Sequence, residues 1–397
     1  MKGRPLARRS LELASRVESE AVRLRRDLHR HPELGFEERR TTAVIAEYLE
    51  SLGLDVVRPR GATGAIARLV PSGAASRRAG IALRADIDAL PMGEKTKLAF
   101  RSSVPGKAHL CGHDAHTAML LAAARALCAE RSTLPRPVTF IFQPAEECVP
   151  TGAPVMIAAG ALEGVSEIFG LHVAPDRPVG ELALRPGPMM ASMDRFDITV
   201  IGKGGHGAIP HAARDPIVAA AAVIEALQTC VSRRTAPIDP AVVSVCTLEA
   251  PGAFNIIPGK VKMSGTTRSL SPALHAAFPE MIRKTASAAA KSRGCRTRCR
   301  YSRGTPVLVN SREGVEKQSR LWEGLASAWT RGGVVENRPT MGGEDFAYYL
   351  QKVAGSFAFI GAKPRRAGGL LHNPGFTISE RVLKLGTALH LSLALEK

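Results

Sequence analysis

Cys111 and His113 stand two residues apart in the stretch AHLCGHDAH, immediately before an apolar helical run. A thiolate and an imidazole at this spacing can reach one cation or two adjacent ones, and the glycine between them lets the backbone fold tightly around it. Taken alone, the pair describes a buried cysteine beside a hydrogen-bonded histidine at least as well. The tandem Glu146-Glu147 after FIFQP shifts that balance. Two adjacent carboxylates at the end of an otherwise apolar strand are costly unless a metal ion or proton chemistry requires them. His172 closes FGLHV, His372 lies in LLHNP, and Asp86 ends GIALRAD with Asp88 just beyond. Each histidine by itself reads as a satisfied core or loop residue. Together, soft and borderline ligands arriving from several separate segments point to a two-metal hydrolytic centre.

Such donors must be carried to one place, and the surrounding pattern says how. Residues 10–52 repeat apolar positions at helical spacing, interrupted at Pro32 and Gly35 and ended by Gly53, which predicts two helices. Short apolar runs follow, GAIARLV, GIALRAD, VTFIFQP and EIFGLHV, each expected as a buried parallel strand, with apolar helical segments such as HTAMLLAAARALCAE between several of them. Strand and helix alternating in this way indicate an α/β domain with a mostly parallel sheet flanked by helices. In such sheets ligands gather beyond the carboxyl ends of the strands, where the candidate donors fall.

The pattern changes near RPGPMM. DRFDITVIGKGG reads as a strand, then come a helix led by Asp215 and Pro216, two strands (AVVSVCTLEA, KVKMSGTTRSL), a helix capped by Ser271 and closed by Gly294, and the strand CRTRCRYS. The order β-α-β-β-α-β is that of a ferredoxin-like sandwich. The reading is a discontinuous catalytic domain over 1–187 and 305–397 with an inserted α+β domain at 188–304.

Composition sets the outer limits. The chain has 397 residues, 45% of them apolar, which suits two globular domains. No apolar run approaches the roughly 20 residues a bilayer span needs, so no membrane partner is expected. The N-terminal MKGRPLARRS lacks a secretory apolar core, and seven scattered cysteines suit reduced thiols, so the cytoplasm is the expected location. A formal net charge of +18 attracts anions. With aromatics at 5% and no aromatic interleaving of the basic runs, a nucleic-acid partner is disfavoured against an arginine-rich solvated surface.

The segments RRDLHRHPELGFEERRT, LRADIDALP, CGHDAHTAMLL, FQPAEE, FGLHV, GPMMASMDRFDITVIGKGGHGAIPH, FNIIPGKVKMSGTTRS, MGGEDFAYYL and HNP, in this order, resemble the aminoacylase/hippurate hydrolase family of metal-dependent amidohydrolases. Indoleacetyl-amino acid hydrolases and N-acetyldiaminopimelate deacetylase share the pattern. The resemblance implies a catalytic domain, a lid that usually mediates dimerisation, and hence a homodimer acting on a small N-acyl amino acid. It implies Cys111, His113, Glu147, His172 and His372 as ligands of two divalent ions (Mn, Zn, Co or Ni), with Cys111 bridging, and Glu146 as general base. It further implies His206 of GGHGAIPH as the group stabilising the oxyanion, and Asn255 and Arg268 as substrate-binding residues. Asp86 and Asp114 are expected to orient ligand histidines, His116 to donate to the site or merely begin the helix, and Glu344 and Asp345 to lie near it. AHLCGHD stands where MHACGHD is commoner, and HDAHT where HDGHT is common; neither departure removes a ligand. A metallocarboxypeptidase or dipeptidase is the alternative activity. A basic nucleic-acid-binding protein on a hydrolase scaffold is the alternative from another class.

Overall fold

A computed structural model of the chain describes residues 4–329, 332–365 and 368–397. They form two compact units, one made of Pro188–Leu308 with Pro339–Ala347 and the other of the remaining residues. Relative to the boundaries read from sequence, Pro339–Ala347 groups with the smaller unit. Its backbone explains this, since Ala191 N–H bonds the carbonyls of Thr340 and Gly342 and Arg268 donates to the Met341 carbonyl.

The larger unit is built on an eight-stranded sheet in the order Val56–Val57, Ala65–Leu69, Val138–Gln143, Gly80–Asp86, Val165–Ala174, Ala354–Gly361, Glu181–Leu184 and Gly333–Glu336. Its four central strands, Val138–Gln143 through Ala354–Gly361, run parallel. Gly80–Asp86 and Val138–Gln143 are buried at every position, which is why they read as unbroken apolar runs and not as alternating ones. Ala65–Leu69, expected to be parallel, pairs antiparallel with Val138–Gln143. A strand buried at four of its five positions carries no mark of its direction, so the pattern could not have told.

Three helices, Arg4–Arg30, His113–Ala129 and Arg381–Leu395, pack on one another. The first buries an apolar stripe from Ala7 through Leu28, and its C-terminal end also buries Arg25 and His29. Gly386 lets the last helix approach the second closely: a Cβ there would lie 2.1 Å from Met119 Sδ. The parallel centre places the ends of three strands side by side, with Asp86, Gln143 and His172 at or near their carboxyl termini.

The smaller unit has the β-α-β-β-α-β order. Its antiparallel sheet runs Ala241–Glu249, Lys260–Ser269, Ser192–Ile201, Arg296–Thr305. The helices Pro216–Ser232 and Pro272–Lys291 cover one face, their Val223, Leu227, Phe278 and Ile282 packing with Phe196, Ile198, Val261 and Met263. Both helices start as the sequence indicates: Asp215 accepts from Ile217 N and Ser271 from Leu274 N. A two-residue ribbon, Gly205–His206 paired with Ile256–Ile257, extends from this unit.

Candidate metal centre

The centre begins at the start of the helix His113–Ala129. Gly112 takes φ +98°, and a Cβ there would lie 2.3 Å from Val173 Cγ2, so the turn requires glycine on two counts. This turn directs both Cys111 and His113 inward, where each is buried. Cys111 Sγ stands 3.2 Å from Nε2 of His172. The other ring nitrogen of His172, Nδ1, is 2.8 Å from the Val173 carbonyl, which can only accept, so Nδ1 carries the proton and Nε2 presents a lone pair. Burial, with the neighbouring His116, pushes the ring down to about 3 and keeps it neutral, the form a metal ion needs.

His113 is held the same way round. Its Nδ1 lies 3.1 Å from Asp88 Oδ1, while its buried Nε2 finds no hydrogen-bond partner. Around that nitrogen stand Asp86 Oδ2 at 3.8 Å, Glu146 Oε2 at 4.0 Å and Glu147 Oε1 at 4.0 Å. The second oxygen of Asp88 accepts from the Glu147 backbone N–H at 2.9 Å, so one carboxylate ties the imidazole to the glutamate loop. His372 sits in a left-handed turn (φ 59°), donates its backbone N–H to the Leu110 carbonyl at 2.9 Å and brings Nε2 to 3.1 Å from Glu147 Oε1.

The donors fall into two sets that share the thiol: Cys111 with His113 and His172, and Cys111 with Glu147 and His372. Without a cation this is an uncomfortable place. Burial and the carboxylates of Glu147, Glu146 and Asp86 hold the Cys111 thiol well above its ordinary value. Burial disfavours a charged His113, yet Asp86 and Asp88 outweigh it and lift the ring to about 10. Carboxylates in excess, an unpartnered imidazole nitrogen and a thiol held protonated by negative neighbours are what a pair of divalent cations relieves. The donor types suit Zn, Mn, Co or Ni and not Ca. The residues present therefore fit the group.

The structure separates the roles of the surrounding polar residues. His116 does not donate to the site. Its Nε2 accepts from Val173 N at 3.0 Å and its Nδ1 meets Asp86 Oδ1 at 2.6 Å, so both ring nitrogens are engaged. Asp86 thus orients His116, while the residue that orients His113 is Asp88. Asp114, expected to orient a ligand histidine, faces away from the centre. Its Oδ2 meets Arg25 Nε at 3.1 Å and His29 Nδ1 at 2.9 Å, because a residue adjacent to His113 on a helix points about 100° away from it. Arg84, which donates to Asp86 at 2.6 Å and to Gln143 at 2.9 Å, was overlooked. An arginine inside the otherwise apolar run GIALRAD was the available signal.

The glutamate pair depends on a particular turn. In an extended strand adjacent side chains point to opposite faces, yet Glu146 and Glu147 both reach within 4.0 Å of His113 Nε2. Both lie past the strand Val138–Gln143, and the preceding Ala145 takes φ 53°, which turns the chain that carries them out of the strand direction. Its N–H donates to the buried carboxylate of Glu38 at 2.8 Å and its carbonyl accepts from Gly152 N at 2.9 Å. Burial, only partly offset by hydrogen bonds from Thr63 and Ala145, raises Glu38 to about 7.

In the smaller unit, His206 and Asn255 come together, with His206 opposite Ile256 in the ribbon and Gly207 N donating to the Asn255 carbonyl at 2.8 Å. Both side chains are exposed, and His206 Nδ1 accepts from Ala208 N at 3.1 Å. Arg268 lies on another strand, half-buried, its guanidinium 3.1 Å from the Met341 carbonyl. Glu344 and Asp345 are buried in the same unit, Glu344 Oε1 accepting from Phe346 N.

Comparison with known proteins places this arrangement. Residues 82–396 match the model of peptidase family M20/M25/M40. An N-acetylcysteine deacetylase of Bacillus subtilis is 40% identical over 376 residues, 94% of this chain and 95% of that protein. Thermostable carboxypeptidase 1 of Saccharolobus solfataricus is 35% identical over 96% of both chains. Among solved structures, the Bacillus subtilis YXEP protein, described as a dinuclear metal binding peptidase from the M20 family, superposes with a TM-score of 0.82 at 36% identity, covering 96% of this chain and 98% of that one.

Proposed function

Because the chain belongs to peptidase family M20/M25/M40 and so is a hydrolase of amide bonds, we propose that it is a metal-dependent amidohydrolase of N-acyl amino acids. It releases a carboxylic acid and a free amino acid. The observation that carries this reading is the pair of three-donor sets sharing Cys111, with Glu146 beside them. The similarity to a deacetylase of an N-acetyl amino acid supports the substrate class.

Cys111, His113 and His172 would hold one ion and Cys111, Glu147 and His372 the other. Bound there, divalent ions supply Lewis-acid polarisation of the amide carbonyl and make water more acidic. Glu146 is the general base, taking a proton from the attacking water and passing it to the departing nitrogen. Asp88 fixes the His113 ring and the Glu147 backbone so that neither must reorganise during the reaction. To His206 we assign stabilisation of the developing oxyanion, and to Asn255 and Arg268 the substrate's amide and carboxylate. Burial disfavours the charge on Arg268, and a substrate carboxylate would give it an anionic partner beside the Met341 carbonyl. We also propose a homodimer, because the smaller unit exposes Leu248, Phe254 and Ile256; a monomeric mass by light scattering would count against it.

The test is a substrate panel on metal-stripped and reconstituted enzyme. Turnover of N-acetyl and N-benzoyl amino acids should vanish with chelation and return with Mn, Zn, Co or Ni. Glu146→Gln should keep its metal and lose about 10²–10⁴-fold in kcat. Full activity in metal-free protein would overturn the mechanism. Because a carboxypeptidase is among the relatives, dipeptides belong in the panel, and higher kcat/KM on them than on acyl amino acids would favour the peptidase reading.

A further inference from the structure

Glu38 stands outside both donor sets and is fully buried, in the turn before the helix Arg39–Ser51. Its carboxylate reaches two other parts of the chain. One oxygen accepts from the hydroxyl of Thr63, in the loop before the strand Ala65–Leu69. The other accepts from Ala145 N at 2.8 Å, just past the carboxyl end of Val138–Gln143. Ala145 is one of three non-glycine residues with positive φ among the described residues, and its value is 53°. An alanine disfavours that conformation and holds it only where its surroundings determine it. Here they do, with Glu38 on the N–H and Gly152 on the carbonyl, and a Cβ at Gly152 would lie 1.8 Å from the Pro144 carbonyl oxygen.

We propose that Glu38 is a positioning residue for the reaction, a buried carboxylate clamp that fixes the left-handed turn at Ala145 and thereby aims the segment carrying Glu146 and Glu147 at His113. The inference rests on the reading of Glu146 as base and Glu147 as ligand. Without the clamp the turn at Ala145 relaxes toward extended backbone, the direction of the following segment changes, and Glu146 and Glu147 withdraw from His113. The requirement is for an acceptor at the right reach, not for a charge. A glutamine offers its carbonyl oxygen to Ala145 N–H and its amide to Thr63 Oγ1. An aspartate keeps the charge but ends one methylene short.

Three proteins separate the possibilities: wild type, Glu38→Gln and Glu38→Asp. Each is checked by circular dichroism, titrated with Zn in competition with a chromogenic chelator, and assayed for kcat and KM on N-acetyl amino acids. Glu38→Gln should stay within about threefold of wild type in Zn affinity and kcat. Glu38→Asp should lose about 10–100-fold in both, the range found when groups supporting metal ligands are removed, with KM little changed. Loss in Glu38→Gln equal to that in Glu38→Asp would overturn the clamp, and so would an unchanged Glu38→Asp. If Glu38→Asp does not fold, Glu38→Gln decides alone, since wild-type Zn affinity and kcat are required of it. Failure of the functional reading looks different: wild type itself would then neither bind Zn in this assay nor show Zn-dependent turnover.

Discussion

Replacing His29 by glutamine should remove most of one pH dependence of stability in the larger unit. His29 lies buried at the end of the N-terminal helix, with Nδ1 2.9 Å from Asp114 Oδ2 and Nε2 3.3 Å from Glu94 Oε2. Burial opposes its charged form, but the two carboxylates outweigh it and raise the ring from 6.5 to about 9. At roughly 1.4 kcal/mol per unit of pKa, that rise corresponds to about 3 kcal/mol. The group is raised on folding, so its contribution is fully present below the unfolded value of 6.5 and is lost as pH climbs through about 9. Urea unfolding of metal-free protein followed by tryptophan emission reports on the right part of the molecule, because Trp322 and Trp329 both belong to the larger unit. The wild type should exceed His29→Gln by about 3 kcal/mol near pH 6 and converge on it above about pH 9. Glu38, raised to about 7 by burial, also lowers stability as pH rises, but it does so in both proteins and drops out of the difference. A gap between the two proteins that stays constant across this range would refute the reasoning.

Other changes probe the scaffold of the centre. Asp88→Ala removes the group linking His113 to the Glu147 backbone, and Zn affinity by chelator competition should fall about 10–100-fold. Arg84→Met leaves Asp86 buried without its guanidinium, and urea unfolding should show a loss of about 3–5 kcal/mol. Gly112→Ala forces a side chain into a left-handed turn 2.3 Å from Val173 Cγ2; thermal unfolding should drop and Zn binding weaken together. Chelation should leave activity unrecoverable in Cys111→Ser with Zn levels that restore the wild type, because the shared thiolate serves both donor sets.

What could be read from the sequence was which candidate donors come together and the end of the sheet near which they gather. Glu147 and His172 lie just past or near the ends of the strands Val138–Gln143 and Val165–Ala174, and a parallel sheet brings such ends together. What could not be read was direction and orientation. The run GAIARLV is apolar whichever way it points, so its antiparallel pairing was invisible. Asp86, Asp88 and Asp114 are alike as letters. Only the fold decides that Asp88 meets the His113 ring while Asp114 meets Arg25 and His29. His116 illustrates the same point, because its availability depends on the Val173 N–H occupying its second nitrogen.

The tandem glutamates show how the sequence singled out two residues that the structure brings to His113, on an incomplete reason. Two adjacent carboxylates stood out because burying both is unfavourable, and that argument asks only what could compensate their charge. It does not ask what aims the segment that carries them at His113. The answer lies about a hundred residues earlier, in Glu38, and one residue earlier, in the left-handed Ala145. On the clamp proposal, Glu146 and Glu147, read as base and ligand, owe their placement to a carboxylate carried by the turn that opens the helix Arg39–Ser51. A charge ledger of the centre includes Asp86, Asp88, Glu146 and Glu147 and omits Glu38, yet on the clamp proposal its geometry depends on Glu38 too. Substitutions in the segment before that helix should accordingly alter kcat and metal affinity together, although the segment supplies no donor to either set.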